Sequence, residues 1–395
     1  MTIHDDRMQW PFFDESHRRL DTEAERWTAA SLAEEVHASD RAAVDARCRE
    51  LVKRLGKAGL LRHCLRAADG GATPDFDARS ICLLRQTLAY RDGLADFAFA
   101  MQGLGSAPLS LAGNERLRMA YLPRVAEGTA IAAFALSEPE AGSDVAAMQM
   151  SARRDGSSYL LNGSKTWISN GGIADFYCVF ARTEPGERRS DGSVSADGIS
   201  AFVVEPRDRG FSIAERIDAM APHPLARLAF DDCRIPVERL IGGEGDGFRV
   251  AMRTLDVFRT SVAAAACGFA RRALDEALGH TRSRGMFGRM LADFQLTQTA
   301  LAEMATSLDS AELLTYRAAW LRDVGQGFTA AAAMAKLTAT ENAQTVIDRA
   351  LQMFGGRGLV RGEIIERLYR EIRALRIYEG ASEVQKLIIG RELLK

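Results

Sequence analysis

The sequence predicts an α+β protein, mainly α, in three consecutive parts: an N-terminal helical domain over residues 1–128, a middle β domain over 129–241 and a C-terminal helical domain over 242–395. Three observations lead there. Apolar residues recur at helical spacing through the first and last parts. Short runs rich in β-branched and aromatic residues are confined to the middle part. Those runs come as a block and do not alternate with helices, which argues against a doubly wound parallel sheet. A chain of 395 residues, 47% of them hydrophobic, can build a large core spread over two or three folding units.

The first helical part includes SLAEEVHASDRAAVDARCRELVKRLGKAGL (31–60), with Gly-Ala and Gly-Gly pairs as punctuation. In the middle part, SYLLNGSKTWIS (158–169) reads as two short runs around Asn162–Gly163, a hairpin whose turn residues tolerate positive φ. Further strands are expected at 175–183, 199–206 and 227–233, with a polar surface loop at 184–198. GGEGDG (242–247) lacks the GxGxxG spacing and follows no βαβ unit, so it marks a domain junction. From there the chain reads as helical to its end.

Composition excludes several functions. With 51 basic against 53 acidic residues, a net charge of −2, the chain has no basic field for a nucleic acid backbone. No apolar run is long enough for a membrane span, and the N-terminus MTIHDDRMQW resembles neither a secretory signal nor a transit peptide. The six cysteines and six histidines are scattered without ligand-like spacing. A reduced, cytoplasmic protein without structural zinc is expected.

Near the C-terminus, Ile365, Leu368, Ile372, Leu375 and Glu379 follow at steps of three, four, three and four and share a helical face. Four are apolar and the fifth is a carboxylate. Gly380 supplies a left-handed stop, and Ser382 opens a capping box with Gln385 at the start of a terminal helix. A carboxylate shielded from water has its pKa raised from about 4.3, by up to ~3–5 units. That suits a general base acting on a weakly acidic C–H. A salt bridge from Glu379 to Arg373 or Arg376 is the other reading, and helix geometry alone leaves both open.

Five further segments occur in order: FALSEPEAGSDV (134–145), NGSKTWISNGG (162–172), RSRGMFGRMLADFQ (282–295), LQMFGGRG (351–358) and RIYEGASEVQ (376–385). Together they resemble the acyl-CoA dehydrogenase family of flavoproteins over residues 40–395. The resemblance implies a helical N-terminal domain, a middle β-barrel-like domain and a C-terminal four-helix bundle. It implies FAD as cofactor, an acyl-CoA substrate, an electron-transfer flavoprotein as acceptor and a homo-oligomer, usually a tetramer built as a dimer of dimers.

By the same resemblance Glu379 is the catalytic base. It takes the α-proton of the thioester while the β-hydrogen leaves as hydride to flavin N5, giving a trans-2-enoyl product. The Glu379 backbone N–H and a flavin hydroxyl polarise the thioester carbonyl. Some relatives carry their base immediately before the arginine of the first C-terminal-domain helix; here that residue is Phe258, before Arg259. Leu136 and Ser137 match contacts to the flavin pyrimidine edge, and Trp167 and Ser169 match the ring cover and a hydroxyl near N5. Arg284 and Phe287 match pyrophosphate and adenine-side contacts from a neighbouring subunit. Gln352, Gly355 and Gly356 match the loop against the ADP half, and Ala381 and Glu383 also fall on the cofactor side. Ser143, Arg259, Tyr378 and Gly380 fall on the substrate side.

Four positions depart from the usual pattern: Met286 in the RxxFG motif, Ala381 where Thr follows YEG, Ser137 for Thr, and Arg227. The AFAMQGLGSAPL helix (98–109) lines the acyl cavity by resemblance, and Met101 and Leu104 point to short or medium chains. The alternatives are an acyl-CoA oxidase, a dehydrogenase of a carrier-protein-bound thioester and a non-catalytic relative.

Overall fold

The computed structural model describes residues 6–32, 40–188, 190 and 192–395. Its order of elements is the expected one, helices, then strands, then helices, and it forms the three-domain fold. Five helices open the chain: α1 (Glu15–Ser31), α2 (Arg41–Lys57), α3 (Ala78–Arg91), α4 (Gly93–Ala112) and α5 (Glu115–Ala126). Four of them have an N-cap side chain accepting from the first turn, from Asp14, Asp40, Asp77 and Asn114. The helical segment expected over 31–60 is divided: α1 closes at Ser31 and α2 opens after Asp40, while residues 33–39 lie outside the described residues.

The strands are β1 (Ala132–Ala135), β2 (Ser151–Asp155), β3 (Ser158–Ser169), β4 (Phe176–Arg182), β5 (Ile199–Val204), β6 (Phe211–Arg216), β7 (Leu225–Pro236) and β8 (Leu240–Ile241). They form one sheet in the order β6-β7-β3-β2-β4-β5-β8, with β1 parallel to β4. β4 and β5 are buried along their whole length, which is why they read as continuous apolar runs.

The hairpin expected at Asn162–Gly163 is not there. β3 runs through both residues as one strand, with a bulge against β7 between Leu161 and Gly163. Asn162 is held by β7: its Nδ2 donates to Asp232 Oδ1 and its Oδ1 accepts from the Asp232 N–H, both at 2.9 Å. Gly163, at φ +136°, lies so close to Met150 that an added Cβ would meet its Cα at 3.0 Å. The glycine serves a bulge and a close approach. The actual β2–β3 turn is Gly156–Ser157, with Gly156 at φ +59°.

The remaining elements are α6 (Gly247–Ser283), a small hairpin of β9 (Gly285–Met286) and β10 (Arg289–Met290), α7 (Gln295–Asp323), α8 (Thr329–Phe354), α9 (Ile364–Leu375) and α10 (Ser382–Leu393). Helices α6 to α9 enclose one core, in which Phe269, Met304, Val346, Ile347, Ile365, Leu368, Ile372 and Leu375 pack together. Ala263–Ala266 of α6 are wholly buried; methyl side chains there permit close helix packing.

Contacts divide the chain into two compact units. One holds the described residues of Met1–His37, Asp77–Asp96 and Arg259–Lys395; the other holds those of Ala38–Phe76 and Phe97–Phe258. Helices α4 and α6 each contribute to both.

In the second unit Gln102 of α4 fastens the start of β1. Its Nε2 donates to the Ala130 carbonyl at 2.8 Å and its Oε1 accepts from the Ala132 N–H at 2.9 Å. Among the described residues no helix is long and apolar enough to cross a membrane, and no group of three His, Cys, Asp or Glu side chains could hold a metal. All six cysteines are buried, and none is in a disulfide.

Candidate active site

Glu379 lies in the elbow between α9 and α10, but the helix does not carry it there. α9 stops at Leu375, after four of the five predicted stripe residues, all buried. Residues 376–381 form the turn, in which Glu379 takes φ +52° and Gly380 φ +91°. A left-handed glutamate is strained, and such strain persists only where the surroundings over-determine it.

The expected capping box does not form. Ala381 is the N-cap of α10, and the Ser382 hydroxyl donates to Glu341 Oε1 at 2.5 Å. Gln385 turns back, its Nε2 donating to the Gly380 carbonyl at 2.8 Å. The salt bridge to Arg376 is also absent, because Arg376 pairs with Glu341 at 2.7 Å. Glu379 Oε2 is enclosed with no hydrogen-bond partner among the described residues.

The groups around this carboxylate come from four helices. Arg85 of α3 is fully buried and grips Asp96 of α4 with two bonds of 2.8 Å; it also donates to Ser261 Oγ of α6 at 3.1 Å. Burial works against the guanidinium charge, and Asp96 more than offsets that, so Arg85 stays protonated. Lys336 of α8 is fully buried and donates to the Gly380 carbonyl at 2.8 Å. Burial lowers its pKa to about 8, although Glu379 pulls the other way. Burial raises the Glu379 pKa above the ordinary carboxylate value; Arg85, Lys336 and Arg259 oppose the rise and Asp96 adds to it. Tyr378, beside Glu379, is pushed up by burial and held back by the charge of Arg85.

The position before Arg259 is filled by packing. Phe258 is buried, stands edge-on to Phe76 and leaves no room at Gly103, where an added Cβ would lie 2.4 Å from its ring. No proton acceptor occupies that place.

Leu136, Ser137, Trp167 and Ser169 are brought together at the junction of β1 and β3. The Ser137 carbonyl accepts from the Thr166 N–H at 2.9 Å. Lys165 Nζ donates to the Leu136 carbonyl at 2.9 Å and to Glu138 Oε1 at 2.8 Å, a buried pair. Between Lys165 and Ile168 the register with β7 slips, and Trp167 takes φ +58° with 62% of its surface exposed. The bulge turns a flat aromatic face to the outside beside two serines. Ser143 lies in an exposed turn after β1.

A second group lies at one end of the helical bundle. His280 in the last turn of α6 stacks on Phe354 in the last turn of α8 at 4.3 Å. Arg284–Phe287 and Gln352–Gly356 therefore leave the bundle side by side. Arg284 is exposed, and Phe287 is 87% exposed at φ +50°. An added Cβ at Gly355 or Gly356 would meet nothing within 4 Å. Glu383 is an exposed first-turn residue of α10. A bare aromatic face, hydroxyls, an exposed guanidinium and open glycine backbone fit the ring and pyrophosphate of FAD.

Sequence reasoning missed Arg85, Asp96, Lys336 and the Lys165–Glu138 pair. Their only trace in the sequence is a charge inside an otherwise apolar helix or strand, as in SICLLRQTLAY (80–90) and AAAMAKLTA (331–339).

The chain matches three family models: acyl-CoA dehydrogenase N-terminal domain over residues 14–129, middle domain over 133–233 and C-terminal domain over 245–394. It is 37% identical over 398 residues to a probable acyl-CoA dehydrogenase of Mycobacterium leprae, covering 98% of each chain. Butyryl-CoA dehydrogenase from Megasphaera elsdenii superposes with a TM-score of 0.86 at 32% identity, over 97% of this chain and 99% of that one. The FAD complex of PigA superposes with a TM-score of 0.87 at 28% identity, over 96% and 98%. The chain belongs to the acyl-CoA dehydrogenase family, FAD-dependent oxidoreductases acting on CH–CH bonds.

Proposed function

We propose that the protein desaturates an acyl-CoA thioester between its α and β carbons, with Glu379 removing the α-proton and a trans-2-enoyl-CoA as product. The observation that carries this reading is Glu379 itself: an enclosed carboxylate, on strained backbone, whose Oε2 has no hydrogen-bond partner among the described residues. Burial makes it a stronger proton acceptor than an exposed glutamate. The Glu379 backbone N–H polarises the thioester carbonyl and so stabilises the enolate oxygen as charge develops there. When bound, FAD supplies the acceptor for the β-hydride.

Leu136, Ser137, Trp167 and Ser169 hold the flavin ring, and Arg284, Phe287, Gln352, Gly355 and Gly356 receive the ADP half of a neighbouring subunit's cofactor. Ala381 and Glu383 lie on the cofactor side, and Ser143, Arg259, Tyr378 and Gly380 on the substrate side. Exposed apolar residues Phe287, Met290, Leu359 and Val360 support a homo-oligomer, a tetramer in this reading. The three domains span residues 1–128, 129–241 and 242–395 in this reading. Buried Met101 and Leu104 on α4, with the likeness to a butyryl-CoA dehydrogenase, support short acyl chains. The acceptor is an electron-transfer flavoprotein and the compartment the cytoplasm.

Anaerobic titration with saturated acyl-CoAs of graded length tests this. Short chains should bleach the flavin, and reoxidation should need an artificial acceptor. Peroxide release in air would mark an oxidase, and bleaching only by a carrier-bound thioester would reassign the substrate. Glu379→Gln should keep FAD and lose roughly 10²–10⁴-fold in turnover; normal activity refutes the assignment.

A further inference from the structure

We propose that Lys336 is a positioning residue for Glu379: the buried ammonium ties down the next residue through the Gly380 carbonyl and leaves the carboxylate unbonded. This rests on the reading of Glu379 as the base.

Lys336 donates to the Gly380 carbonyl at 2.8 Å, and Gln385 Nε2 donates to the same oxygen at 2.8 Å. Arg85 is locked by Asp96 and Ser261 and keeps its charge. Ahead of the held carbonyl the backbone takes the strained φ +52°. The arrangement fixes where Glu379 points without using up its oxygens, which a direct salt bridge would do. Packing stability does not explain it, since a buried ion pair is often no more stabilising than apolar residues of equal volume.

The charges facing Glu379 are Arg85 from α3, Asp96 from α4, Arg259 from α6 and Lys336 from α8, with the Tyr378 hydroxyl beside it. Glu341 and Glu383 act on Lys336 in turn. Three cations and one anion thus surround the base. Loss of a cation makes the carboxylate keep its proton to higher pH, and loss of the anion does the reverse. A residue that merely fills space has no such sign.

The test compares Lys336→Met, Lys336→Arg and Asp96→Asn in the FAD-loaded protein. In Lys336→Met the Gly380 carbonyl keeps its bond from Gln385 Nε2. Where that variant does not fold, Lys336→Gln replaces it, keeping a donor without the charge. The first readout needs no turnover: the infrared carbonyl band of a protonated carboxyl, identified by its loss in Glu379→Gln, is titrated against pH. The second is the pH profile of flavin bleaching by substrate. Lys336→Met should move the midpoint up by roughly one pH unit, Asp96→Asn should move it down, and Lys336→Arg should stay near the wild type.

Folded variants with unmoved midpoints, midpoints moving in the same direction, or no Glu379-dependent band overturn the proposal. Opposite infrared shifts in a protein that no acyl thioester bleaches would instead count against Glu379 as the base, and leave the positioning role standing.

Discussion

Lys165 Nζ sits 2.8 Å from Glu138 Oε1, with both side chains buried, and the same ammonium holds the Leu136 carbonyl. Glu138 in turn accepts from the backbone N–H groups of Gln149 and Met150 at 2.7 and 3.1 Å. One ion pair therefore fixes the strand end that carries Leu136 and Ser137. Lys165→Met strands a buried carboxylate and should cost about 3–5 kcal/mol of stability, with loss of flavin. Urea unfolding and FAD content check both.

The same lysine gives the wild type a pH signature. Burial lowers its pKa to about 8, so the unfolded chain holds a proton that the folded one has released between there and the ordinary 10.5. Stability should rise with pH across the lower part of that window, and rise less in the variant. Lys336, also lowered to about 8, adds to the rise.

Glu379 has the opposite dependence. Its pKa is raised by burial above 4.5, so its contribution is fully present below that value and is lost as pH rises through the folded one. Above 4.5 the enclosed carboxylate therefore weakens the fold that holds it. Glu379→Gln should therefore melt above the wild type at pH 7, and the gap should close below pH 4.5. Calorimetry at the two pH values decides; an unchanged gap contradicts the burial of this group.

Trp167 separates cofactor affinity from folding. Its indole is 62% exposed and its backbone is left-handed, so Trp167→Gly relieves about 1–2 kcal/mol of strain. The flavin-free variant should melt no lower than the wild type, while FAD binding weakens about tenfold or more, roughly 1.4 kcal/mol. Fluorescence titration with FAD measures the second.

Gly103 has no space for a methyl group. An added Cβ would lie 2.4 Å from the Phe258 ring. Gly103→Ala should lose about 1–3 kcal/mol through overpacking, and Phe258→Leu should recover part of it. A double-mutant cycle in urea reads the coupling; additive losses would place the strain elsewhere.

The order of helices and strands was legible because periodicity is local. Glu379 was legible for the same reason, as one acid at the end of an apolar series, though its placement came from a turn after Leu375 and not from the helix. Asn162–Gly163 misled because a hairpin turn and a bulge ask for the same residue types, and only the partner strand tells them apart. Arg85 and Lys336 left no local pattern. Their partners stand 11, 176 and 44 positions away, and a buried charge looks like a surface one until the chain has folded.

The ring of Phe258 has a consequence for how this chemistry can migrate. A carboxylate introduced there would enter ground already taken, against the bare α-carbon of Gly103 and the edge of Phe76. Placing an acid on the first long C-terminal helix thus demands that several neighbours give way at once. A substitution on the open surface meets no such wall, whereas position 258 is enclosed by aromatic packing and a close glycine backbone.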